Sequence, residues 1–214
     1  MTRPSVAAVL LLTLACGNIG SPEIISTDVY EFRDQEAGQT VVFHWERAAL
    51  PVRVWVASDS PLMPHVQTAI NRWQGAFLYG EFRATMVADS TTADVIVRNV
   101  PSDIGGGFGA RAAQCVGETD EQIDVVAKTI RLPIHVFIYP ILGQSAPGLA
   151  SCYSVTATHE FGHVLGIISP SHSGATSGDV MFANPSRDSI SERDRFTAVI
   201  LYSIPSTIAI TGRH

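Results

Sequence analysis

Two histidines four residues apart are the clearest sign of chemistry in this chain. His159 and His163 enclose three residues, the first of which is Glu160. On an α-helix, residues four apart lie on one face, so both imidazoles could reach a single cation while the carboxylate borders the same place. This spacing is typical of a hydrolytic zinc site, in which the glutamate serves as general base.

A catalytic zinc ion needs a third protein ligand and keeps one coordination position open. Gly166 stands where the predicted helix could end, because glycine adopts a left-handed backbone conformation without steric cost. The chain can then turn back beneath the two histidines, and His172 lies within reach on the following loop. We predict His172 as the third ligand; the alternative is a solvent-exposed loop histidine.

This stretch resembles the metzincin zinc metallopeptidases, most closely the matrixin-like branch and its short bacterial members. The family pattern H-E-x-x-H-x-x-G-x-x-H with a later methionine turn is matched at His159, Glu160, His163, Gly166 and Met181. Ser169 stands where the family has its third histidine, and His172 follows three residues later. The energetic cost does not exclude a longer loop, because doubling the length of a loop costs only about 0.6 kcal/mol of closure entropy. Zinc binding at a structural site contributes on the order of 10 kcal/mol.

The resemblance implies an α+β fold of the metzincin type. Its parts are a mixed twisted sheet, an active-site helix carrying HExxH, a glycine turn, a methionine turn and a C-terminal helix. It further implies Zn²⁺ as cofactor on His159, His163 and His172, Glu160 as general base, and Met181 as an apolar floor beneath the metal. The implied activity is endopeptidase hydrolysis of protein or peptide substrates, by a protein that we expect to be a monomer.

Three alternatives remain open from the sequence. A gluzincin would take its third ligand from Glu192, although that residue lies in the first turn of a predicted helix, where it has a capping role. Asp179 could act as an aspartate ligand instead. The displaced histidine also allows a catalytically inactive metzincin-fold envelope lipoprotein that acts as a binding module.

The first residues have the pattern of an export signal. Arg3 precedes an apolar run over 5–15 that is too short to span a bilayer but suits the apolar region of a signal peptide. Because the small Ala15 precedes Cys16, as in a bacterial lipobox, we predict a lipoprotein signal peptide over 1–15 and lipid attachment to Cys16. The protein would then be exported to the cell envelope and meet a membrane only through this anchor. An ordinary secretory signal, giving a secreted protein, is the alternative.

The rest of the chain is predicted as a lipid-anchored tether over 16–46, polar and mixed in composition, and a metallopeptidase domain over 47–214. Lipidation of Cys16 leaves Cys115 and Cys152 in an oxidising setting, which favours a disulfide between them. The 214 residues carry a formal net charge of −6 without a basic cluster, which argues against nucleic acid as a partner.

Hydrophobic periodicity predicts the elements that position the site. Apolar and β-prone residues predict strands at 50–57, 82–87, 94–100 and 130–139. Helical spacing predicts that a first helix buries one stripe of side chains, Val66, Ile70, Trp73 and Phe77. A capping box at 191–194 predicts a last helix with Phe196, Val199 and Ile200 turned inward, and the glycine cluster at 105–109 predicts a flexible loop.

Overall fold

The computed structural model describes residues 29–36, 38–100, 115–140, 145–169 and 172–212. The predicted signal peptide, Cys16 and the glycine cluster lie outside these residues. Within them the chain forms a mixed α+β fold with three α-helices. None of the helices in this part of the chain combines the length and apolar character needed to cross a bilayer.

The helices and strands are numbered here in chain order. The strands are β1 (Asp34–Glu36), β2 (Gln39–Val41), β3 (Val52–Val56), β4 (Ala84–Met86), β5 (Val95–Asn99), β6 (Val116–Asp120), β7 (Ile123–Asp124), β8 (Thr129–Arg131), β9 (Ile134–Tyr139) and β10 (Ala209–Thr211). The helices are α1 (Met63–Gly75), α2 (Ala146–Leu165) and α3 (Glu192–Ser203), with short 3₁₀ turns at Arg47–Ala49 and Ser90–Thr92.

The main sheet has five strands in the order β4-β3-β5-β9-β6. The first four run parallel, and β6 at one edge runs antiparallel to β9, with Val116 opposite Tyr139 and Asp120 opposite His135. The predicted alternation holds in β9, where Ile134, Val136 and Ile138 are buried on one face. Two smaller sheets, β1-β2 and β10-β8-β7, complete the strands of the described residues.

Helix α2 is held in place by two buried tryptophans. Trp73 of α1 donates its indole N–H to the carbonyl oxygen of Thr158 at 2.8 Å, and Trp45 donates to that of Val164 at 2.7 Å. Both indoles are almost fully buried, as expected for a large side chain whose one donor has found a partner. They fix the helix on which two of the three predicted ligands, His159 and His163, lie.

The predicted tether over 16–46 needs correction from residue 29 onward. Tyr30, Phe32, Phe43 and Trp45 are buried in the hydrophobic core, so this segment belongs to the folded domain rather than to a linker. These aromatic residues stand in two pairs at strand spacing, but the stretch between the pairs, 33–40, is mostly polar and charged. For that reason the composition resembled a linker, and the predicted domain start at 47 was too late.

Two predicted elements also differ from the structure. The strand predicted over 130–139 is divided at Pro133 into β8 and β9, which belong to different sheets. In α3 the capping box is present, with Asp194 as its reciprocal partner. The buried residues of α3 are Asp194, Thr197, Ala198 and Leu201. Of the three predicted to turn inward, Val199 and Ile200 are half-buried against the core, and Phe196 is not part of it. The buried Asp194 carboxylate, bonded to backbone amides outside the helix, turns that face inward.

Candidate metal centre and active-site cleft

Helix α2 carries the two histidines and ends where the sequence predicted. Ser145 caps its first turn, and Gly166 ends it with a φ of 122°. The Gly166 amide donates to the His163 carbonyl oxygen at 2.9 Å, and a Cβ at Gly166 would overlap the carbonyl oxygen of Phe43. Glycine is therefore required at this turn both by backbone conformation and by space.

The loop after Gly166 brings His172 back toward the helix. His172 has a φ of 50°, a left-handed conformation that costs a non-glycine residue roughly 1 kcal/mol or more. The N-terminal segment holds the loop on both sides, since the Glu31 amide donates to the Ser173 oxygen and the Ile168 amide donates to the Phe32 oxygen, each at 2.9 Å. These bonds offset the strain at His172.

The Nε2 atoms of the three histidines converge on one point. Nε2 of His172 lies 3.1 Å from Nε2 of His159 and 3.2 Å from that of His163, and the last two atoms are 3.3 Å apart. His159 is buried and His172 half-buried. Among the described residues, this trio is the group of side chains able to share a metal ion. The structure thus brings together the three predicted ligands.

Hydrogen bonds at the Nδ1 atoms orient two of the three histidine rings. Nδ1 of His159 lies 2.7 Å from the Val180 carbonyl oxygen, and Nδ1 of His163 lies 2.6 Å from that of Ile167. A carbonyl oxygen only accepts, so each Nδ1 carries the proton and each Nε2 presents a lone pair. Burial lowers the pKa of His159, while burial and the neighbouring His159 and His172 rings lower the pKa of His163 well below its ordinary value. The two rings are thereby kept neutral, the form that binds metals.

This donor set fits a zinc ion. In tetrahedral coordination, nitrogens 2.0 to 2.1 Å from zinc lie about 3.3 to 3.4 Å from one another. The three Nε2 separations of 3.1 to 3.3 Å are close to that value. Two facing lone pairs, on His159 and His163, repel each other at this distance unless a cation lies between them, so the contact favours a shared metal.

No protein-family model matches this chain. No curated protein matches it either. The assignment of the site therefore depends on the geometry of its own residues.

The two alternative ligands from sequence lie elsewhere in the structure. Asp179 is buried, but its carboxylate accepts from the Ser191 hydroxyl at 2.7 Å and pairs with Arg193 at 2.6 Å. The Glu192 side chain is 76% exposed and pairs with Arg195. Because both carboxylates are engaged outside the histidine cluster, neither of them joins the candidate metal site.

Met181 lies in a buried turn against α2. Its side chain is 1% exposed, and its sulfur occupies the space that a Cβ at Gly162 would need. The buried carboxylate of Asp194 accepts from the amides of Val180 at 2.8 Å and Met181 at 3.3 Å. The turn that presents the Val180 oxygen to His159 is therefore anchored to α3.

Asp194 also receives a hydrogen bond from the N-terminal segment. The Tyr30 hydroxyl donates to its Oδ1 at 2.7 Å, and both side chains are buried. Burial, with the adjacent Asp194 charge, raises the pKa of Tyr30 well above its ordinary value. The phenol therefore keeps its proton at neutral pH, and it links the N-terminal segment through Asp194 to the turn at Met181.

Glu160 lies beside the histidines and is almost completely buried. Its Oε2 accepts a hydrogen bond from the Thr119 hydroxyl of β6 at 2.7 Å. Burial raises the pKa of Glu160 to about 7, and the Thr119 hydrogen bond opposes that rise. A carboxylate with a pKa near neutrality can both take up and release a proton in the physiological range.

An open cleft of about 530 Å³ lies over these groups. Its walls are β6, one face of α2 and the segment 183–186 that follows Met181. Asp34, Glu118 and Glu121 line it together with Glu160, and its described lining contains neither lysine nor arginine. Burial raises the pKa of Glu121 to about 8, with the nearby Glu160 carboxylate adding to the rise. At neutral pH the negative charge of the cleft therefore comes from Asp34 and Glu118 rather than from Glu121.

The cysteines predicted to pair are joined in the structure. Cys115 and Cys152 form a disulfide with their Cα atoms 5.5 Å apart. Cys115 immediately precedes β6, and Cys152 lies in the second turn of α2. The crosslink therefore fastens one wall of the cleft to the helix that carries the histidines.

No sequence pattern indicates Thr119 and Glu121 as parts of this site. Both belong to the segment around β6, whose letters Val-Gly-Glu-Thr-Asp lack apolar alternation because the strand faces the cleft on one side and solvent on the other. The sequence of a strand with so few apolar residues cannot be told from that of a loop. The contact of Thr119 with Glu160 spans 41 residues, which no local pattern reveals.

Proposed function

We propose that the protein is a zinc-dependent endopeptidase of the metzincin type. The observation that supports this most strongly is the convergence of three imidazole Nε2 atoms next to a buried glutamate, in an open cleft. Three histidine ligands with one open position are the donor set of a catalytic rather than a structural zinc site.

His159, His163 and His172 would hold the ion. A bound Zn²⁺ supplies Lewis acidity, which lowers the pKa of a water molecule and polarises a carbonyl group. Glu160 takes the proton from the attacking water and later passes it to the amine that leaves. Glu160 is placed for both steps because its carboxylate lines the same cleft as the three histidines.

The edge strand β6 offers a place for an extended substrate. Among the described strands it is the last of its sheet, and it lines the cleft next to Glu160, so a peptide could add to its outer edge by backbone hydrogen bonds. The negative charge of the cleft favours peptides that carry lysine or arginine over acidic ones. A peptide library analysed by mass spectrometry would define these preferences.

The competing hypothesis of an inactive binding module was based on the displaced third histidine. His172 nevertheless lies 3.1 and 3.2 Å from its two predicted partners, so the longer loop compensates for the displacement. Geometry therefore gives no support for preferring a non-catalytic module.

The direct test combines metal analysis with a cleavage assay. Purified protein should contain about one zinc per chain and cleave unfolded casein. A zinc chelator should stop cleavage, and added Zn²⁺ should restore it. Protein that binds zinc stoichiometrically but leaves casein and a broad peptide library intact would support the binding module instead.

The role of Glu160 is tested by a matched pair of variants. Glu160→Gln should retain zinc and lose at least about a thousandfold in kcat, because the general base and a proton donor are both removed. Glu192→Gln alters an exposed carboxylate and should keep both zinc and kcat. Wild-type turnover in Glu160→Gln, or zinc loss in Glu192→Gln, would contradict the assigned roles.

A further inference from the structure

The surroundings of the Glu160 carboxylate come mainly from β6 rather than from its own helix. Gly117 and Thr119 are two residues apart on this strand and so face the same side, toward α2. Thr119 donates its hydroxyl to Oε2 of Glu160 at 2.7 Å. A glutamate side chain has three rotatable bonds, so contacts of this kind decide where its carboxylate lies.

Gly117 contributes by leaving space. A Cβ at this position would overlap the carboxylate of Glu160, with Oε1 as its nearest atom. The φ of Gly117 is not positive, so the backbone conformation alone does not demand glycine. The absent side chain lets the carboxylate lie directly against the strand, with Oε1 near Gly117 and Oε2 on Thr119.

The strand that provides these contacts is itself held firmly. Pairing with β9 fixes its register, with Gly117 opposite Ile138 and Thr119 opposite Val136. The disulfide between Cys115 and Cys152 fastens its beginning to α2. The hydroxyl of Thr119 is further restricted because a β-branched side chain has few allowed χ1 rotamers. The position of the Glu160 carboxylate is therefore defined by a rigid partner.

We propose that Thr119 is a positioning residue that, with Gly117, holds the Glu160 carboxylate in its working position beside the three histidines. The inference rests on the proposed peptidase function, in which Glu160 moves the proton. Thr119 acts through the carboxylate that it binds and takes no proton itself. Its hydroxyl should affect turnover, and neither metal binding nor substrate binding.

The test compares two substitutions at one position in the zinc-loaded protein. Thr119→Val keeps the shape but removes the hydroxyl, and kcat should fall roughly 10- to 100-fold, the value of a hydrogen bond to a charged group, with KM and zinc content unchanged. Thr119→Ser restores the donor and should keep kcat within about threefold of wild type. The matched control is Thr85→Val, on the exposed edge strand β4 at the opposite end of the sheet.

A second measurement is independent of activity. Crystal structures of zinc-loaded wild type, Thr119→Val and Gly117→Ala should show the Glu160 carboxylate displaced in both variants. Unchanged kcat in Thr119→Val, an equal loss in Thr119→Ser, or an unmoved carboxylate would each overturn the proposal. If wild type cleaves nothing, the peptidase function fails by itself, and the structures still decide whether Thr119 positions Glu160.

Discussion

Gly162 of α2 lies directly against the sulfur of Met181, and the space between them admits no Cβ atom. Gly162 adjoins His163, and Met181 follows Val180, whose carbonyl oxygen accepts from His159. This close approach therefore sets the distance between the histidine helix and the turn that orients one of its rings. A glycine within a helix is normally unfavourable by roughly 0.5 to 1 kcal/mol relative to alanine, and here it serves packing.

Gly162→Ala should destabilise the protein even though alanine is the better helix former. The new methyl group meets the Met181 sulfur and the Trp73 ring in a closed core, and overpacking of this kind costs about 1 to 3 kcal/mol. Gly75→Ala is the matched control, because nothing lies within 4 Å of a Cβ there, at the end of α1. Urea denaturation should show a lower midpoint for the first variant and an equal or higher one for the second; the reverse order would contradict the packing argument.

His172→Ala should weaken zinc binding by at least about 100-fold, since loss of a ligand costs more than loss of an outer-shell partner, which costs 10- to 100-fold. Competition with a chromophoric chelator measures the affinity. His65→Ala removes a histidine of α1, outside the ligand trio, and should bind zinc as wild type does. If His172→Ala retained full affinity while Asp179→Ala lost it, the ligand set would be wrong.

Tyr30→Phe should lower the free energy of unfolding by about 1.5 to 3 kcal/mol, because it removes a buried hydrogen bond to a charged carboxylate. Tyr79, which is 80% exposed, provides the control: Tyr79→Phe should be neutral. Thermal or urea denaturation compares the pair. Equal stability of the two variants would show that the N-terminal segment is not anchored through Asp194.

Glu121→Gln should stabilise the metal-free protein at pH 8 and leave it unchanged at pH 4. Burial raises the pKa of the folded carboxyl to about 8 from 4.5, so between these values the unfolded chain releases a proton that the folded protein retains. The stability contributed by this group therefore falls as pH rises through that window. Melting temperatures in the presence of chelator should rise by roughly 2 to 4 °C for each kcal/mol recovered.

The exposed Glu192 provides the control for this pH effect. Glu192→Gln should follow the wild-type melting curve at both pH values, because its side chain is 76% exposed. A gain for Glu121→Gln of equal size at pH 4 and pH 8 would contradict a role for ionisation. It would indicate instead that the amide simply packs better than the carboxyl.

The ligand trio was predictable because its information is local. His159 and His163 are one helical turn apart, and Gly166 marks the turn that returns the chain to His172. The contacts that orient these groups were not predictable, since Thr119 with Glu160 and Tyr30 with Asp194 are 41 and 164 residues apart. Such pairs follow from tertiary packing, which the periodicity of one segment does not encode.

The secondary-structure elements also differ in how far their own sequence predicts them. Strands β3, β5 and β9 have buried apolar faces and were predicted from them, as was the stripe of α1. The edge strand β6 and the short β10 lack such a face. Phe77 is buried as predicted, but it lies beyond the end of α1, because burial there comes from contacts with Phe82 and Tyr202 rather than from helical period.

The backbone of residues 31 and 32 forms hydrogen bonds to the loop on both sides of His172, at Ser173 and at Ile168. Removal of the residues up to Phe32, by truncation or by proteolysis, would abolish both hydrogen bonds while leaving all three predicted ligands in the chain. With zinc bound as proposed, the shortened protein should release the ion faster than the full chain, so residues 29–32 would help to retain a metal that they do not touch.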